Sequence, residues 1–168
     1  MIHYFYGLAA NPLTLAHQKI VKDLLDESSD AKVYLAITDH EYKDIEIPFD
    51  VRKKTVEENF KDEIKAGRVV VLKQDERTYR FLSSLWSWMD YIVIGTDEWD
   101  DLKAGKWEFS TELMNTWKFK IFTRKPGAIS STEARKHLQE GASYEEVSGL
   151  ISQTTYDLLA SSGWLHRG

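Results

Sequence analysis

The chain has 168 residues, 42% of them hydrophobic and 29% charged, with a formal net charge of −5 and no cysteine. That length fits one domain, residues 1–168, with a sizeable core, and the composition is that of a folded globular protein rather than a disordered one. Disulfides, thiolate-bound zinc and a cysteine nucleophile are excluded, the acidic balance argues against a nucleic-acid or acidic-membrane partner, and without a signal segment or membrane-length apolar run the expected location is the cytoplasm.

The apolar run Ile2-His3-Tyr4-Phe5-Tyr6 predicts a strand that breaks at Gly7. After Leu8-Ala9-Ala10-Asn11-Pro12-Leu13 a helix starts near Thr14, with Ile20, Val21, Leu24 and Leu25 recurring on one face. A strand-turn-helix of this kind leaves the first helix amides without intrahelical partners and aims the positive end of the helix dipole outward, an anion site. Thr14 and His17 share a face at that point, and an imidazole there can donate to a phosphate oxygen.

Val33-Tyr34-Leu35-Ala36-Ile37 is the second strand. A polar loop leads to Asp50, expected to cap a helix over 51–65 that ends before Gly67. Val69-Val70-Val71-Leu72 is the third strand, and residues 78–88 form a helix with Phe81, Leu82 and Leu85 inward. Tyr91-Ile92-Val93-Ile94, closed by Gly95, reads as a strand buried on both faces. Short helices are expected around Trp99 and Trp107, then the strand Phe119-Lys120-Ile121-Phe122. The last third is helical. Ser130-Ser131-Thr132-Glu133 and Ser143-Tyr144-Glu145-Glu146 fit the capping box, and a final helix over 149–161 stops at Gly163. Alternating strands and helices predict an α/β protein, a single Rossmann-like doubly wound, mostly parallel sheet with a helical C-terminal segment and ligands at the carboxyl edge. Trp86-Ser87-Trp88 reads as core or an oligomer contact, which leaves a homo-oligomer open.

Two stretches carry a resemblance. Gly7 followed by Asn11-Pro12-Leu13-Thr14-Leu15-Ala16-His17 resembles the His/Thr-x-Gly-His motif of the nucleotidyltransferase superfamily, with Ala16 where glycine is usual and Ala10 where an aromatic is often found. Ile129-Ser130-Ser131-Thr132-Glu133-Ala134-Arg135 resembles the Ile-Ser-Ser-Thr-x-x-Arg signature of its mononucleotide adenylyltransferases. Within that group the chain is most similar to the nicotinate/nicotinamide mononucleotide adenylyltransferases.

The resemblance implies an enzyme that joins ATP to a pyridine mononucleotide and releases pyrophosphate. It implies catalytic roles for His17 and Thr14, and ATP contacts from Gly7, Leu8, Ala9, Gly95, Asp97, Ser130, Ser131, Thr132 and Arg135. Substrate contacts are implied for Lys43, Arg52, Thr78 and Trp107, the last by stacking on the pyridine ring. No protein metal ligands are expected, magnesium being carried by the ATP phosphates. Two other acceptors fit the same fold, phosphopantetheine or, with CTP, a phosphorylated alcohol. Because Ala10 and Ala16 depart from the pattern, a nucleotide-binding module without turnover is the alternative from another class.

Overall fold

The computed structural model describes residues 1–40, 45–123 and 130–166. Strands β1 (Ile2–Leu8), β2 (Ala31–Thr38), β3 (Val69–Gln74), β4 (Tyr91–Gly95) and β5 (Lys118–Phe122) form one sheet in the order β3-β2-β1-β4-β5, every pairing parallel. Side chains alternate between its two faces, as the period of two requires. Tyr4, Tyr6, Leu8, Val33, Leu35, Ile37 and Val93 point to one side, where α1 (Leu15–Asp26) adds Val21, Leu24 and Leu25, and α2 (Phe49–Asn59) adds Val56. Phe5, Tyr34, Ala36, Ile92 and Ile94 point to the other, and meet Leu82 of α4 (Thr78–Leu85), Leu102 of α5 (Thr96–Lys103) and Leu113 of α6 (Ser110–Thr116).

Both faces are therefore covered, and the connections reverse direction at β1. A crevice must open there, beyond the carboxyl ends of β1 and β4.

The C-terminal elements are α7 (Ser131–Gln139), α8 (Tyr144–Val147), α9 (Gln153–Ser161) and a 3-10 turn, Trp164–His166. They have their own core of Ala134, Leu138, Val147, Ile151, Leu159, Trp164 and Leu165, into which Ile47 from the loop before α2 is fully inserted. Asn59 at the end of α2 donates to Thr155 Oγ1 at 2.8 Å and accepts from Ser152 Oγ at 2.7 Å, which fixes α9 against α2.

Several boundaries differ from the sequence expectation. β1 runs through Gly7 to Leu8, because Gly7 and Leu8 still pair with Ala36 and Ile37. Asp50 does not cap α2. Pro48 occupies that position, and Asp50 lies in the first turn, where its charge suits the helix dipole. The helix expected over 51–65 is two, broken at Phe60 (φ −117°, ψ 22°), before α3 (Lys61–Lys65). α4 ends at Leu85, so Trp86 and Trp88 pack around Tyr34 and His3, with Trp88 47% exposed. Trp99 is helical, but Trp107 lies between α5 and α6. The last helix begins only after Ser152, whose hydroxyl accepts from the Thr155 amide at 3.1 Å. No helix among the described residues is long and apolar enough to cross a membrane.

Candidate active site

The loop from Ala9 to Thr14 is held at almost every residue. Ala10 sits in the left-handed region (φ 52°), and the Asn11–Pro12 peptide is cis. Arg52 Nη1 donates to the Ala9 carbonyl at 2.8 Å, Arg135 Nη1 donates to that of Asn11, and Ser131 Oγ donates to that of Pro12 at 2.9 Å. The Asn11 side chain accepts from the Ile47 amide at 3.1 Å and donates to Glu46. Serine and arginine of the second motif thus grip the backbone of the first, and the two segments meet.

Thr14 is the N-cap of α1. Its hydroxyl accepts from the His17 amide at 3.3 Å, and its own amide donates to His17 Nδ1 at 3.0 Å. This is a capping box with histidine in the place usually taken by glutamate or glutamine. Because Nδ1 accepts, the neutral ring carries its proton on Nε2 and presents a donor on its other edge. The first turn of α1 is less open to anions than its position promised. The Leu15 amide donates to Leu150 O at 2.9 Å, and the His17 amide is used by the cap.

At the start of α7 the three hydroxyls are also divided. Ser130 Oγ caps the helix by accepting from the Glu133 amide at 3.1 Å, Ser131 holds Pro12, and Thr132 Oγ1 accepts from Arg135 Nη2 at 3.2 Å. Arg135 Nε lies 3.4 Å from a Glu46 carboxylate oxygen.

A cleft of about 460 Å³ opens at the carboxyl edge of the sheet. Phe5, Gly7 and Ile92–Ile94 form its floor, Thr38, His40, Gln74, Arg77 and Thr78 one wall, and Glu98, Asp101 and Lys106–Glu108 the other. Gly7 lets Gln74 lie close over the floor, since a Cβ there would stand 3.0 Å from Gln74 Oε1. Thr78 and Trp107 are both in this cleft, with the Thr78 hydroxyl 3.5 Å from Gln74 Nε2.

Other residues singled out from the sequence are dispersed. Leu8 is buried in the core, and the Ala9 carbonyl faces Arg52. Gly95 is the N-cap of α5, its amide donating to Glu98 Oε1 at 3.3 Å, and Asp97 is exposed in the first turn of that helix. Lys43 lies outside the described residues. Arg52 is 2% exposed, and its guanidinium donates to Ile47 O at 2.8 Å and Thr38 O at 2.7 Å as well as to Ala9, so it ties three segments together. Gln74 and Glu108 also line the cleft and carry no motif signal in the sequence, although Gln74 ends its strand in the position where α/β proteins place ligand contacts.

The charge at this junction is tuned by Glu46. Hydrogen bonding from Asn11, with further help from its own backbone and from Arg135 against an opposing effect of burial, holds its carboxyl below the ordinary 4.5. A depressed carboxyl pKa contributes stability above its unfolded value and loses it as pH falls through the folded one. Glu46→Gln should therefore lower Tm by about 1–4 °C at pH 7, and the gap to wild type should narrow as the pH falls below 4.5. Thermal scans across that range check it.

Five parallel strands in this order, with a crevice at the reversal, define a Rossmann-like doubly wound α/β protein. No family model matches the chain, and no curated protein matches it in sequence. Solved structures match it in shape. A candidate nicotinate-nucleotide adenylyltransferase from Vibrio parahaemolyticus superposes with a TM-score of 0.73 at 23% identity, over 100% of this chain and 98% of that one. The Plasmodium falciparum nicotinic acid mononucleotide adenylyltransferase matches in its complex with NaAD (TM-score 0.72) and in its complex with APC (0.75), each at 16% identity over 99% of this chain and 98% of that one. The chain has the fold of these proteins from end to end.

Proposed function

We propose that the chain is an adenylyltransferase that joins ATP to nicotinate or nicotinamide mononucleotide, forming the dinucleotide and pyrophosphate. The observation that carries the reading is the junction of the two motifs, with His17 held by Thr14 at the end of a loop that Ser131 and Arg135 grip from the other end of the chain. A neighbour in shape that bears this activity in its name, solved once with NaAD and once with APC, lends support.

In this reaction a phosphate oxygen of the mononucleotide attacks the α-phosphorus of ATP in line, one P–O bond forms, and the bond to the departing pyrophosphate breaks. The nucleophile is already an anion, so no general base is needed, and the rate depends on alignment and on donors aimed at the charge that develops. His17 Nε2–H is such a donor, towards the α- and β-phosphate oxygens. Thr14 acts by fixing the ring. Ser131, Thr132 and Arg135 shape the β/γ end, Ser131 and Arg135 through the loop that they hold. The pyridine mononucleotide fits the cleft, with its ring against Trp107. Magnesium would arrive on ATP, with phosphate and water as its ligands.

The test is pyrophosphate release with ATP, magnesium and each mononucleotide in parallel, with phosphopantetheine, and CTP with phosphorylated alcohols, as the competing acceptors. Turnover with a pyridine mononucleotide is expected. ATP binding by calorimetry without turnover on any acceptor would instead favour a nucleotide-binding module.

A further inference from the structure

The segment between α5 and α6 forms one wall of the cleft, and it is latched to α4 in an uneven way. Phe109 sits in the left-handed region (φ 58°), where a bulky L side chain is rarely found. It is held there by its ring, stacked on Tyr79 with centroids 4.6 Å apart, and by the Arg80 guanidinium 5.2 Å from its centroid. The neighbouring Glu108 accepts from Arg80 Nε at 2.6 Å through one oxygen and from Arg77 Nη1 at 3.2 Å through the other. The shorter bond belongs to the arginine outside the cleft. Arg77, with Thr78, borders it opposite Trp107.

Around this point the other charges are matched. Lys106 lies 3.4 Å from Asp101, and Glu98 accepts from the Gly95 amide. His40 is the other titratable group on the cleft wall among the described residues. If Arg77 turned away from Glu108, the carboxylate would keep its closer partner, and the segment would stay latched through Arg80 and Tyr79.

Resting on the acceptor chemistry given above, we infer that Arg77 is the residue that tells an acidic from a neutral pyridine ring, exchanging its bond to Glu108 for one to the ring carboxylate. A carboxylate offers a guanidinium two acceptor oxygens in its own plane. A carboxamide offers one oxygen and a donor that arginine cannot use, so the amide gives Arg77 no reason to leave Glu108. Trp107 on the facing wall supplies a flat surface for either ring. Arg77 thus discriminates between acceptors without touching the reacting phosphates.

The test compares wild type, Arg77→Gln and Arg77→Lys with nicotinate and nicotinamide mononucleotides at saturating ATP, with the KM for ATP and the Tm as controls. Wild type should favour the acid. Arg77→Gln should reduce kcat/KM for the acid about 10- to 100-fold, chiefly through KM, while the amide, the ATP KM and the Tm stay nearly constant. Arg77→Lys should fall between, because a point charge replaces a planar fork. An equal loss on both acceptors, or a wild type that uses the amide at least as well as the acid, would overturn the inference. Absence of turnover with either acceptor would refute the proposed function itself. Calorimetric titration of the same variants with nicotinate mononucleotide then decides the role of Arg77 separately: weaker binding to Arg77→Gln supports it, and equal affinity overturns it.

Discussion

Truncating Arg52 to alanine is expected to destabilise the protein by about 3–5 kcal/mol. The residue is 2% exposed, and its three short hydrogen bonds end on carbonyls from three separate segments, Ala9, Thr38 and Ile47. Burial lowers its pKa below the usual arginine value, with Asp39 opposing, but a guanidinium so placed is still charged at neutral pH. Removing it relieves that desolvation. The decisive loss is at the carbonyls, since those of Ile47 and Thr38 are buried and would be left without this donor. Arg52→Met separates the two contributions, since it fills the volume without donating. It should be nearly as unstable as the alanine variant, whereas a loss of less than about 1 kcal/mol in urea unfolding would mean that the loops find other partners.

The second large effect is on turnover. His17→Ala should lower kcat about 10²-fold or more, as removal of a donor aimed at developing charge does in comparable sites. It should also cost about 1 kcal/mol of stability, because the Thr14 amide loses its acceptor. His17→Gln distinguishes these roles. Glutamine is a normal partner in a capping box, so Tm should return towards wild type while turnover stays low. Recovery of turnover in the glutamine variant would reduce the histidine to a cap.

Most of the framework was legible because it rests on local periodicity. Val33, Leu35 and Ile37 alternate with Tyr34 and Ala36, and each set faces its own layer of helices. Helix boundaries were less so. Phe60 breaks a pattern that continues on both sides of it, and Leu150 and Ile151 look helical in sequence but serve a turn and the C-terminal core.

The site was legible in its residue types and not in their partners. Ser131 is a hydroxyl beside a helix start, and nothing in the neighbouring sequence says that it will meet Pro12, 119 positions away. Arg52 looks like any helix arginine, because what distinguishes it is three carbonyls brought from elsewhere by the fold. Glu108 takes its importance from Arg77 and Arg80, at the N-cap and in the first turn of α4, which β4 and α5 separate from it in the chain.

The grip of Ser131 and Arg135 on Asn11 and Pro12, and of Leu150 on Leu15, has a consequence for folding. The two side-chain contacts join residues 119 and 124 positions apart, and such distant pairings close only after nearer ones have paid most of the chain entropy. A chain with its sheet assembled and α7 to α9 still undocked would hold residues 9–14 without these partners.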